Sequence, residues 1–74
     1  MDEIIRLLEE IKPDIDYANE EELVDGELLD SFDILQIISS IDDEFGVSIP
    51  AFEIVPKNFN SVEAIWELVQ RLKK

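Results

Sequence analysis

The sequence contains no cysteine and no histidine. The absence of cysteine excludes disulfides, and the absence of both residues removes the thiolate and imidazole ligands of most zinc sites. Ser-His-Asp triads and Cys-His pairs are excluded for the same reason. Because no imidazole base can activate a serine here, we expect the chain not to be an enzyme and to hold no metal.

Basic residues are scarce. Six lysines and arginines stand against nineteen aspartates and glutamates, which gives a net charge of -13. Such a charge repels DNA, RNA and anionic lipid and attracts basic protein surfaces. We therefore expect no nucleic-acid partner, and we expect partner proteins to present basic surfaces.

No apolar run approaches the length of a membrane span. Met1-Asp2-Glu3 is the reverse of the basic start of a signal peptide, so we expect a cytoplasmic protein. The 74 residues, of which 46% are hydrophobic, suit one small domain over residues 1–74 with a single core. We expect this domain to be a monomer.

Apolar residues at intervals of three and four predict a first helix over about residues 2–12, which Pro13 ends. Residues 13–29 are acidic and aperiodic, and they contain one turn-forming glycine, Gly26. A loop of this length in a small domain is expected to be pinned on the helices. Its apolar anchors are predicted to be Ile15, Tyr17, Leu23, Leu28 and Leu29.

The C-terminal part predicts one long helix and one short turn. Asn60, followed by Glu63 three residues later, resembles a capping box that opens a last helix over about residues 61–72. Ala51–Val55 fits one short helical turn that Pro56 stops. With no strand pattern in the chain, the sequence predicts an all-α bundle of three to four helices with a long first loop.

A strongly apolar second helix is predicted from Asp30 or Ser31 to Phe45, with Gly46 as its C-terminal stop. Asp30 is the best N-cap candidate, which makes Ser31 the first helical residue. Successive residues are about 100° apart around a helix, and this spacing predicts a core stripe of Ile34, Ile37, Ile38, Ile41 and Phe45. Phe32 and Leu35 fall off that stripe, so we expect both to be partly exposed, on a face with Gln36, Ser39 and Asp43.

Ser31 allows two interpretations. A phosphate-bearing group on its hydroxyl would lie at a helix N-terminus, where unpaired backbone N–H groups accommodate an anion. Alternatively, Ser31 is only a good helix-starting residue beside an aspartate cap, and an Asp-Ser pair alone is a weak motif. The residues around the serine carry more information than the pair itself.

The run from Gly26 to Asp33, GELLDSFD, leads into an apolar helix that ends in DDEFGV at residues 42–47. The amphipathic first helix, the long loop, an Ile-Pro connection and a capped last helix complete the pattern. With this order of features over the whole chain, the sequence resembles the acyl carrier protein family.

The resemblance implies a specific chemistry at Ser31. In such carriers the matching serine receives 4'-phosphopantetheine from coenzyme A, delivered by a separate magnesium-dependent phosphopantetheinyl transferase. Acyl or aminoacyl groups then travel as thioesters on the terminal thiol of that arm, so the protein needs no cysteine. A loading ligase or synthase with a basic surface is implied as a second partner.

The resemblance also implies roles for neighbouring residues. Asp30 helps the transferase to recognise the serine, and Phe32 and Leu35 match partner-contacting positions. The other residues expected to face partners are Asp33, Gln36, Ser39, Asp43 and Glu44. Composition alone favours a solvated helix face for the acidic members of this set.

The cargo is left open by the sequence. Fatty-acid carriers usually have Glu and Met where this chain has Gln36 and Ser39, and Leu28–Phe32 is instead similar to D-alanyl carrier proteins and related stand-alone carriers. The alternative function is a small acidic interaction module without a prosthetic group, which uses the Phe32 and Leu35 face.

Overall fold

The structure, a computed structural model, describes residues 2–73. Within that range the chain forms α-helices and one 3-10 turn, with no strand, which confirms the expected small all-α bundle. The elements are α1 (Asp2–Ile11), α2 (Ser31–Phe45), the 3-10 turn (Ala51–Glu53), α3 (Pro56–Phe59) and α4 (Val62–Leu72). Helix α1 packs against both α2 and α4, and α3 packs against α4.

The core forms where α1, α2 and α4 turn their apolar faces inward. From α1 the buried residues are Ile4, Leu7 and Leu8, at the three- and four-residue spacing that places side chains on one face. From α4 they are Val62, Ile65, Leu68 and Val69. Leu72, on the same face of α4, is half-buried against this cluster.

Helix α2 begins and ends where the sequence predicts. Asp30 is its N-cap, and Gly46 ends it in the left-handed conformation with a φ of 66°. The N–H of Gly46 donates to the carbonyl of Asp42 at 2.9 Å. Glycine adopts this conformation without the steric penalty of a Cβ, so it terminates the helix at low cost.

The buried face of α2 is rotated about the helix axis relative to the predicted core stripe. Its fully buried residues are Ile37 and Ile41, and Asp33 is buried in line with them. The remaining members of the predicted stripe are half-buried at its edge: Ile34, Ile38 and Phe45. At about 100° per residue, the centre of the buried face is therefore turned by about 50° towards Asp33, whose carboxylate pairs with Lys12 just beyond the end of α1.

The segment before α4 corrects two predictions. Pro56 does not only stop the preceding turn; it is the first residue of α3, a position where its missing N–H removes no helical hydrogen bond. The N-cap of α4 is Ser61, whose Oγ accepts from the N–H of Ala64 at 3.0 Å, so the expected capping role of Asn60 is wrong.

Asn60 instead pins the long loop to the junction of α3 and α4. Its Oδ1 accepts from the N–H groups of both Val24 and Asp25 at 3.0 Å, and its Nδ2 donates to Asp25 Oδ2 at 2.9 Å. Its carbonyl accepts from the N–H of Leu23 at 2.9 Å. The predicted anchors of the loop are buried or half-buried, and Tyr17, Leu23 and Leu29 are the buried ones.

This arrangement predicts an unequal cost for two asparagine substitutions. Asn60→Ala leaves the backbone N–H groups of Val24 and Asp25 without partners, so we expect it to lower the free energy of unfolding by about 1–3 kcal/mol. The side chain of Asn19 makes one exposed hydrogen bond, to the Asp16 carboxylate. Asn19→Ala should therefore cost less than about 0.5 kcal/mol. Urea unfolding followed by the fluorescence of the single tryptophan measures both, and equal costs would contradict the pinning role of Asn60.

Candidate functional site

Ser31 is exposed at the start of α2, between two exposed neighbours, Asp30 and Phe32. It is the first residue of the helix, as the sequence predicts. Its backbone therefore belongs to a regular, hydrogen-bonded element while its hydroxyl is accessible to a second protein. An exposed hydroxyl on a fixed backbone is the geometry that a modifying enzyme requires.

Asp30 and Asp33 form a reciprocal capping box around the backbone of Ser31. Asp30 Oδ1 accepts from the N–H of Asp33 at 2.9 Å, and Asp33 Oδ2 accepts from the N–H of Asp30 at 3.2 Å. The N–H of Asp33, and to a smaller extent Lys12 and the N–H of Phe32, hold the pKa of Asp30 below its ordinary value of 3.8. Asp30 thus stays ionised beside the serine.

The capping box changes one expectation about an anion at this helix end. The sequence suggests that unpaired N–H groups accommodate a phosphodiester on Ser31. In the structure the N–H of Asp33 already donates to the Asp30 carboxylate at 2.9 Å. A phosphate on Ser31 would therefore compete with Asp30 for this donor, while the positive end of the helix dipole adds to the attraction.

Asp33 does not occupy the partner-facing position that the sequence predicts. Its side chain is 13% exposed, and its Oδ2 also accepts from Lys12 Nζ at 3.2 Å. A carboxylate buried this far requires hydrogen bonds and a counter-charge. Asp33 is therefore part of the support beneath Ser31, and its negative charge is not displayed to partners.

Lys12 and Tyr17 extend this support into the loop. Tyr17, which is 3% exposed, donates its hydroxyl to the carbonyl of Lys12 at 2.5 Å. Burial, together with the nearby carboxylates of Asp33 and Glu9, raises the pKa of the Tyr17 phenol to about 12. Neither residue was singled out as functional in the sequence, because both lie far along the chain from Ser31.

Apart from Glu44, the remaining predicted partner residues form a largely exposed strip along α2. Phe32 and Leu35 are 66% and 60% exposed, which is unusual for large apolar side chains and agrees with their predicted position off the core stripe. Helical spacing continues the strip through Gln36, Ser39 and Asp43. Of these, Ser39 and Asp43 are exposed and Gln36 is half-buried.

Glu44 is exposed but does not belong to this strip. It lines a groove between α1 and α2 together with Glu3, Arg6 and Glu10. At about 100° per residue, it lies roughly 100° around the helix from Asp43. A partner that covers Phe32 and Leu35 therefore does not cover Glu44 at the same time unless it wraps around α2.

The sequence interpretation missed one exposed apolar residue. Phe52, in the 3-10 turn, is 80% exposed, and Ile54 beside it is 37% exposed. The turn itself is fixed, because Glu53 Oε2 accepts from Arg71 Nη1 at 2.7 Å and Glu53 Oε1 accepts from Asn58 Nδ2 at 3.1 Å. Ala51–Val55 was predicted as one short turn, but in so short a segment the periodicity does not say which side chain points outward.

Comparison of the chain with protein-family models, with curated proteins and with solved structures finds no match. In residues 2–73 no helix is long and apolar enough to cross a membrane. The same residues contain no group of three or more acidic side chains placed to hold a metal ion. Function is therefore inferred from the geometry around Ser31.

The buried phenol of Tyr17 makes a testable prediction about alkaline pH. The pKa of Tyr17 is about 12 in the folded protein against an ordinary 10.0, so its contribution to stability is complete below about pH 10 and is lost as the pH rises towards 12. Absorbance of the single tyrosinate gives the titration directly, and urea unfolding of wild type and Tyr17→Phe isolates its share of the pH dependence. A phenol that titrates near 10 in the folded protein would contradict its burial beside Asp33.

Proposed function

We propose that this chain is a carrier domain of the acyl carrier protein type, which receives 4'-phosphopantetheine on Ser31. The observation that carries the proposal is an exposed serine at the first position of a capped helix, directly beside an ionised aspartate and an exposed apolar strip. A carrier requires these two features together: a hydroxyl for the prosthetic group and a surface that its enzymes recognise.

The transfer reaction places few demands on the carrier. The Ser31 hydroxyl oxygen attacks the phosphorus of coenzyme A that bears the pantetheine arm. A phosphodiester bond to Ser31 forms, the bond from this phosphorus to the bridging oxygen of the pyrophosphate breaks, and the adenosine bisphosphate leaves with that oxygen. The hydroxyl proton passes to a base of the transferase, because this chain has no histidine near the serine. The contribution of the carrier is to present the serine and to be recognised through Asp30.

The residues around Ser31 fit such an arm. Ser31, Asp30 and Phe32 are all exposed, so an attached phosphodiester can extend into solvent without displacing the core. When bound, the group supplies the thiol that carries acyl or aminoacyl cargo, while the strip of Phe32, Leu35 and Ser39 remains free for partner enzymes. Fatty acyl, D-alanyl, other aminoacyl and polyketide cargo are all compatible with this surface.

The acidic surface fits partner enzymes with basic binding faces. The net charge of -13 raises the rate of encounter with positive surfaces, and added salt weakens this attraction. Asp43 lies at the far end of the Phe32 strip, so apolar contact and charge attraction are available on one face. The second candidate function, an interaction module without a prosthetic group, draws on the same exposed Phe32 and Leu35.

Ser31→Ala separates these two functions. Incubation of the wild-type protein with coenzyme A, magnesium and a transferase of broad specificity should add the mass of one phosphopantetheine, and Ser31→Ala should add none with unchanged helical content. Ser48→Ala, which removes another exposed serine outside the partner-facing strip, should be modified like wild type. A wild-type protein that gains no mass under these conditions would support the interaction module, and modified Ser31→Ala would place the arm elsewhere.

A second prediction concerns the exposed strip. Leu35 is 60% exposed and Ile37 is fully buried, so Leu35→Ala should cost less than about 1 kcal/mol of stability and Ile37→Ala about 2–5 kcal/mol. We expect Leu35→Ala to reduce the rate of modification or loading in a domain that stays folded. Urea unfolding beside the mass assay checks both, and comparable destabilisation by the two substitutions would rule out the exposed position of Leu35.

A further inference from the structure

Lys12 occupies an unusual place in the charge distribution of the chain. No other lysine or arginine occurs between it and Lys57, a span that includes the whole loop, Ser31 and α2. Lys12 lies one residue beyond α1, and its side chain reaches Asp33 Oδ2 at 3.2 Å, although 21 residues separate the two along the chain. The one basic residue of this span therefore pairs with a carboxylate in the first turn of the helix that begins with Ser31.

The backbone of Lys12 is fixed on both sides of its Cα. Its N–H donates to the carbonyl of Leu8 at 2.8 Å, at the end of α1. Its own carbonyl accepts from the Tyr17 hydroxyl at 2.5 Å. Because its main chain is held by α1 and by the loop, the ammonium group is delivered to Asp33 from a defined position and loses less entropy on pairing.

Asp33 depends on this ammonium group. Its Oδ2 accepts from two donors, Lys12 Nζ and the N–H of Asp30, both at 3.2 Å. Without Lys12, a carboxylate that is 13% exposed would have one hydrogen bond fewer and no counter-ion. Rotation towards water would relieve that cost, and the rotation would break the bond to the N–H of Asp30.

The N–H of Asp30 is only one residue from Ser31. Loss of its bond to Asp33 opens one half of the capping box and frees the backbone that precedes the serine. The hydroxyl of Ser31 and the carboxylate of Asp30 would then no longer keep one fixed relation to each other. In the complex with a transferase, the hydroxyl would then reach its reacting position in only a fraction of the bound molecules.

We propose that Lys12 is a positioning residue for the modification of Ser31, acting through Asp33 and the capping box of α2. The proposal rests on the carrier function put forward above. In this role Lys12, which lies outside the GELLDSFD run, fixes the positions of Ser31 and Asp30 relative to each other. Its effect is on the turnover of the bound complex, because Lys12 holds the geometry of the reacting hydroxyl and does not supply the binding face.

The test is a double-mutant cycle on the transferase reaction, with kcat and KM measured from intact mass. Lys12→Met should lower kcat about tenfold and leave KM within about twofold, and Lys12→Arg should recover most of the loss. In the Asp33→Asn background, Lys12→Met should have almost no further effect, because no buried charge then requires compensation. Lys57→Met, which removes an exposed cation and changes net charge equally, should leave both constants unchanged.

Each alternative gives a different result. If Lys12→Met lowers kcat equally in the wild-type background and in the Asp33→Asn background, Lys12 contacts the transferase or coenzyme A directly and the proposal is overturned. A wild-type rate for Lys12→Met would also overturn it while leaving the carrier function intact, whereas failure of the wild-type protein to gain mass removes the carrier function itself. If urea titration shows that Lys12→Met is already unfolded without urea, Lys12→Gln at a lower temperature provides the same comparison.

Discussion

The presentation of Ser31 depends on one buried carboxylate. Asp33 receives hydrogen bonds from Lys12 and from the N–H of Asp30, and it returns its own N–H to Asp30. Through these three bonds the end of α1, the long loop and the start of α2 become one rigid junction. Lys12 reaches α2 from a backbone that Leu8 and Tyr17 hold, while Asn60 fixes the later part of the loop at residues 23–25.

The charge distribution explains why the junction needs a dedicated cation. A chain with a net charge of -13 repels itself, and the repulsion is strongest where acidic residues are not interrupted by basic ones. Burying Asp33 in such a region is unfavourable unless a positive charge accompanies it. Lys12 supplies this charge to Asp33 at 3.2 Å, so the buried carboxylate is compensated within an otherwise acidic region.

Local patterns predicted the helices and the N-cap of α2, because each depends on residues a few positions apart. Spacing alone predicts the Asp30 cap and the Gly46 stop of α2, and it also predicts that Phe32 and Leu35 point outward. The buried role of Asp33 did not follow, since its partner Lys12 lies 21 residues away. Asn60 was misassigned for a similar reason. Its spacing to Glu63 fits a cap, but Ser61 occupies the N-cap position of α4. The N–H groups that donate to Asn60 lie 35 and 36 residues earlier.

The bonds of Asn60 have a consequence for the order in which the domain is completed. They join residues 23–25 of the loop to Asn60, which follows Val24 by 36 residues and Asp25 by 35. Closing so long a segment costs entropy, which the packing of α4 offsets. The loop that leads to Ser31 therefore has its full set of backbone partners only in a chain that extends through Asn60.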